Sequence, residues 1–245
     1  MNYILFLLTG IGMAVSLPHH DPAKPAIQPV VVLELFTSQG CSSCPPADQA
    51  LHDITRKAAL AGQAVYSLSF HVDYWNRLGW QDPFSSRQFT DRQRQYDRAL
   101  NTQTYTPQLV INGRQNVIGG QKATIEHAIQ TIQKQPASSF IGVDGHLSRD
   151  AGQVTVTYTL SSSGPYRLNM ALVQKETRTA VRNGENGGRI LINTNVVRQF
   201  RTTEQPGTSG SVALPIPDGL QPDQTAILVY VQRNDTGQVV GAKLL

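Results

Sequence analysis

The chain has 245 residues, 40% hydrophobic and 16% charged, with two cysteines and a formal net charge of +4. That is ordinary globular composition, which excludes a wholly disordered chain, and the length allows one or two hydrophobic cores. The mild positive charge comes without dense Lys/Arg blocks, so a nucleic-acid partner is not expected.

Met1 to Ser16 holds the apolar run Tyr3 to Leu8, then Gly10, Gly12 and the small-residue exit Ala14-Val15-Ser16. It reads as a signal peptide over residues 1–16, shorter than the ~20 apolar residues that span a bilayer, although no Lys or Arg precedes its apolar core. The expected location is periplasmic or secreted, without a membrane span after processing, where a disulfide can persist. Residues 17–29 contain Pro18, Pro22, Pro25, Pro29 and the pair His19-His20, the composition of an extended linker.

Val30 to Phe36 is a nearly continuous apolar run of strand length, as for a strand buried on both faces. Glu34 interrupts it, either as a buried carboxylate that takes a proton from a nearby thiol or as a salt-bridged or edge-facing residue. Cys41-Ser42-Ser43-Cys44 follows a short polar loop. From Pro45 onward Ala47, Leu51, Ile54 and Ala58 recur at helical spacing, with both prolines in the first turn. Ala64 to Val72 reads as a second strand that ends in His71-Val72-Asp73-Tyr74-Trp75. A helix is predicted from about Ser85 to Leu100, with Phe89, Tyr96 and Leu100 inward and Arg87, Arg92, Arg94 and Arg98 on a solvated face. Leu109 to Ile118 reads as a hairpin and Thr124 to Gln133 as a helix. Beyond Pro136 alternation dominates, at 154–160, 168–173, 212–216 and 227–231, which predicts a small all-β sandwich. The expected domains are therefore 30–135 and 136–245.

A disulfide that closes four residues removes only roughly 2 kcal/mol of unfolded-chain entropy, so Cys41 and Cys44 are poorly spaced for a structural staple. The spacing suits an attacking thiolate and a resolving thiol one helical turn later. A helix start lowers the pKa of the first thiol, here Cys41, which is expected at an amide-lined mouth. Half of a zinc site is the competing reading, with His71 the one further ligand nearby. Thr106-Pro107 stands at a strand's entrance, where a cis peptide would turn the Thr106 backbone toward an incoming chain and where a plain strand start is the alternative. If the first strands are parallel, His71 ends on the same sheet edge as Cys41. His71, Asp73, Tyr74, Trp75 and Trp80 then wall a substrate groove, with His71 or Asp73 moving protons, or else they pack and hydrogen-bond as structure.

The order of buried strand, Cys41-Ser42-Ser43-Cys44, helix and Tyr105-Thr106-Pro107 resembles the thioredoxin superfamily over Val30 to about Gln135. Leu35 to Asp48, Phe70 to Trp75, Gly79 to Phe84, Arg182 to Arg189 and Asn195 to Arg198 are more narrowly similar to a bacterial secreted family, domain of unknown function 1223. The resemblance implies an α/β thioredoxin-like domain followed by a small all-β domain, with Pro107 as a cis-proline opposite the cysteines and Thr106 as a substrate anchor. It also implies an exported thiol-disulfide oxidoreductase acting on protein or small-molecule thiols and disulfides, with Cys41 and Cys44 catalytic. No cofactor and no metal are expected. The Ser42-Ser43 dipeptide leaves the direction of the reaction open. A non-catalytic module binding a peptide or metal is the alternative function.

Overall fold

In a computed structural model, residues 27–150 and 152–245 are described; the expected signal peptide and residues 17–26 of the expected linker, with His19 and His20, lie outside them. β1 (Val31–Thr37) is buried at all seven positions. It pairs in parallel with β2 (Val65–His71) and antiparallel with β3 (Gln108–Ile111), which continues into β4 (Gln115–Ile118). Three α-helices accompany these strands: α1 (Pro45–Leu60), α2 (Arg87–Leu100) and α3 (Lys122–Gln133). α1 buries Ala47, Leu51, Ile54 and Ala58, the residues whose spacing predicts it.

Seven further strands follow: β5 (Val143–Asp150), β6 (Gln153–Leu160), β7 (Tyr166–Ala180), β8 (Ile190–Glu204), β9 (Ser209–Pro215), β10 (Thr225–Arg233) and β11 (Val239–Leu244). They do not form a domain of their own, and the expected division into a thioredoxin-like α/β domain and a separate sandwich is incorrect. One mixed eight-stranded sheet runs β11-β10-β7-β8-β2-β1-β3-β4, and β5-β6-β9 form a second, three-stranded sheet. The join is β8 against β2, in parallel, with Ser69 opposite Val196 and the Ser69 hydroxyl donating to the Thr194 carbonyl at 2.8 Å. An open β2 edge would leave backbone N–H and C=O groups unpaired, and β8 covers that edge at the Ser69–Val196 pair.

Alternation along β10 serves two cores at once. Ala226, Leu228 and Tyr230 join the core that holds Phe36, Phe70 and Phe200, while Ile227, Val229 and Val231 pack with Val154, Val156 and Tyr158 of the three-stranded sheet. The expected solvated arginine face of α2 is also corrected at one position. Arg87, Arg94 and Arg98 are exposed, but Arg92 is buried and forms a two-bond ion pair with Glu34 at 2.6 and 2.9 Å. This settles Glu34 as salt-bridged on the α2 side of β1.

Candidate functional site

β1 delivers the chain to the end of the sheet, and the Ser38–Cys44 turn carries it into α1. Cys41 N–H donates to the Ser38 carbonyl, and Cys44 N–H to the Cys41 carbonyl. Cys44 is the N-cap of α1, with Pro45 and Pro46 in the first turn, where a missing N–H matters least. Cys41 and Cys44 are joined as a disulfide. The Thr106–Pro107 peptide is cis. It brings the Thr106 hydroxyl to 3.3 Å from the Cys41 sulfur as a donor, while the Trp75 indole N–H donates to the same hydroxyl at 2.8 Å.

The sulfurs do not stand at an open mouth as expected. Both cysteines are completely buried, at 0% exposure. Part of the cover comes from the far end of the sequence, the 181–189 turn between β7 and β8. Asn186 donates from Nδ2 to the carbonyls of Gln39 and Cys41, both at 2.9 Å, and the Glu185 carboxylate accepts the Ser42 N–H at 3.0 Å.

Behind the pair lies a buried polar cluster. His71 Nδ1 meets Asp82 Oδ2 at 2.7 Å, with both side chains fully enclosed. Burial disfavours the imidazolium, but the charge and hydrogen bond of Asp82, helped by Asp48, hold the His71 pKa above its ordinary value. For Asp82, burial raises the pKa, and His71 together with the N–H groups of Gln39 and Phe84 outweighs it and brings it below the ordinary value. Asp48, one turn beyond Cys44, is pushed up to about 7 by burial; Asp82 adds to this, and His71, Thr37 and Asn193 oppose it. Asp48 Oδ1, His71 Nε2 and Thr37 Oγ1 have no hydrogen-bond partner within the described residues.

The structure brings Thr106, Pro107 and Trp75 to the disulfide and places His71 behind it. Trp80 donates to the Gln39 side chain at 3.2 Å, while Asp73 is held by the Thr90 hydroxyl, on the α2 side. Asp48, Asp82, Glu185 and Asn186 lie in the segments similar to family 1223, but the sequence alone assigned none of them a role. Asp48 was detectable, because residues four apart on a helix share a face and Cys44 is its neighbour. The contacts of Glu185 and Asn186 lie more than 140 positions away along the chain. Among the described residues, no three His, Cys, Asp or Glu side chains gather as metal ligands.

No curated protein matches this chain. The crystal structure of protein AGR_C_4864 from Agrobacterium tumefaciens is similar to it at 31% identity, over 91% of this chain and 96% of that one, with a TM-score of 0.67. HBP35 of Porphyromonas gingivalis shares the fold at 16% identity, over 91% of this chain and 76% of that one, with a TM-score of 0.62. Residues 32–232 match the family described as "Protein of unknown function (DUF1223)". The chain belongs to the DUF1223 family.

Proposed function

We propose that the chain is an exported thiol-disulfide oxidoreductase that works through Cys41 and Cys44 on protein or small-molecule thiols and disulfides. One observation carries this reading: the only two cysteines are bonded to each other at a helix start, and the first of them accepts a hydrogen bond from the Thr106 hydroxyl at the entrance of β3. The likeness to the thioredoxin superfamily bears here on chemistry alone. Export rests on the apolar run in residues 1–16; no helix among the described residues is long and apolar enough to cross a membrane.

In this reading an incoming thiolate attacks the Cys41 sulfur. Its electron pair forms the new S–S bond, the Cys41–Cys44 bond breaks, and that bond's electron pair leaves on Cys44. A thiolate at this buried position is costly to solvate, so it takes a proton, and Asp48 supplies it. In reverse, Asp48 takes the proton from Cys44, whose thiolate attacks the Cys41 sulfur; the Cys41–Cys44 bond forms, the bond to the partner breaks, and the partner leaves as a thiolate. Thr106 and Pro107 present backbone to the partner, with Trp75 and Trp80 flanking them. His71, backed by Asp82, steadies the charge on Asp48, and Asp73 holds the connecting segment against α2.

A redox titration of the mature protein against glutathione tests this. The expected result is a reversible two-electron transition that is lost in Cys41→Ser, with mixed disulfides accumulating in Cys44→Ser. Absence of both the reversible transition and the trapped adducts, with a metal recovered on purification, would overturn the reading.

A further inference from the structure

The turn at residues 181–189 has a feature that packing alone leaves unexplained. From Arg182 to Ile190 every residue is exposed except Asn186, which is fully buried. Its amide spans two carbonyls of the cysteine turn, and its Oδ1 accepts from Arg189 at 3.1 Å. Next to it, Glu185 reaches back to the Ser42 N–H. Gly184, in the left-handed region at φ +76°, lets the tip approach the backbone of Leu78 and Trp80, where a side chain would crowd both.

The disulfide is sealed, so an attacking sulfur reaches Cys41 only after something moves. β1, β3 and α1 form the core of the sheet and its cover, whereas the tip ends a two-stranded arm and is fastened by a few side-chain hydrogen bonds. Elements of this kind open locally at low free energy.

We infer that the 181–189 turn is a latch over the disulfide, fastened by Asn186 and Glu185, which must lift before Cys41 exchanges with a partner. The latch governs reactivity as well as access. Pro45 and Pro46 have no N–H, and the Cys44 N–H is bonded within the turn, which leaves the Ser42 N–H among the few amides available to a Cys41 thiolate. With the latch seated, that amide is occupied by a carboxylate, whose charge opposes negative charge on the adjacent sulfur. Lifting the latch frees the amide and removes the charge. The charged groups behind the pair, His71 at the end of β2, its partner Asp82 and Asp48 on α1, belong to elements other than the turn. The regulatory role rests on the exchange reaction proposed above; access to the disulfide is measurable without it.

The test uses the mature chain and its variants Asn186→Ala and Glu185→Gln, with reduction by a water-soluble phosphine followed by thiol alkylation and gel shift. Asn186→Ala is expected to be reduced roughly tenfold faster than the parent, the effect of two lost buried hydrogen bonds on the opening equilibrium. Thermal midpoints taken in parallel confirm that the gain is not global unfolding. In the reduced protein, Glu185→Gln is expected to lower the midpoint of Cys41 alkylation by roughly half a pH unit or more, a shift that a merely structural residue would not cause. If Asn186→Ala does not fold, Glu185→Gln, nearly the same shape, carries both measurements. Unchanged reduction rates and an unmoved alkylation midpoint overturn the latch. Faster reduction in the variants without reversible exchange with glutathione leaves the latch standing and sinks the oxidoreductase reading. Reversible exchange at equal rates in parent and variants does the opposite.

Discussion

Arg92→Met should destabilise the protein by about 3–5 kcal/mol, the largest loss expected from any single surface-free substitution outside the hydrophobic side chains. Arg92 donates to both carboxylate oxygens of Glu34, to the hydroxyls of Tyr96 and Tyr230 at 2.8 Å, and lies 4.5 Å from the centre of the Phe200 ring. It ties α2 to β1, β8 and β10, and so joins early and late parts of the sequence. Without the guanidinium, the Glu34 carboxylate at 1% exposure loses its ion partner and both Arg92 hydrogen bonds and keeps only the Tyr96 hydroxyl, which is costly for a buried polar group. The double variant Glu34→Leu/Arg92→Met should recover most of the loss, because an apolar pair of similar volume needs no such compensation. Urea midpoints at pH 7 check both statements. A single-variant loss below about 1 kcal/mol would show that water or rearrangement relieves Glu34.

The same residues show what the sequence reveals and what it conceals. β1, α1, β2, α2, the β3–β4 hairpin and α3 are legible because each carries its own period and its own punctuation, such as Pro45-Pro46 at a helix start and Asn112-Gly113 at a hairpin turn. β8 is not. Its inward residues are broken by Asn193, Asn195 and Arg198, its pairing with β7 shifts at Arg198, opposite Leu172 and Val173, and Asn195 takes a positive φ of 49°. A reader of periodicity sees loop there and misses the strand that fuses two expected domains into one sheet. Arg92 conceals itself in a different way. On a helix with four arginines, helical spacing places it among exposed neighbours, and only the position of Glu34 across the sheet shows that one of the four turns inward. The cysteine pair and Thr106-Pro107 are legible as local motifs. Their burial is not, since the covering turn belongs to the far end of the chain.

Asp48→Asn should make the oxidised protein more stable and its thiol exchange slower, with both effects depending on pH. Burial raises the Asp48 pKa from the ordinary 3.8 to about 7, so between these values the native state holds a proton that the unfolded chain has lost. Stability attached to this group is therefore fully present at low pH and falls as pH rises toward 7. Asparagine has nearly the same shape and no such dependence. The variant should match the parent near pH 4 and gain on it steadily to about pH 8, where the difference is on the order of 4 kcal/mol at most. His71 loses one negative neighbour but keeps Asp82 at 2.7 Å, so the imidazole remains paired. Thermal midpoints of parent and variant across pH 4 to 8 read this directly, and a constant difference would show that Asp48 is ionised throughout. If Asp48 also moves the Cys44 proton, the rate of exchange with glutathione should carry an inflection near pH 7 in the parent and lose it in Asp48→Asn, with a fall of roughly tenfold to a hundredfold at neutral pH. A residue that only filled space would move rate and stability in the same direction. A gain in stability beside a loss in rate, both centred on the same titration, is what a buried carboxyl retained for its proton requires.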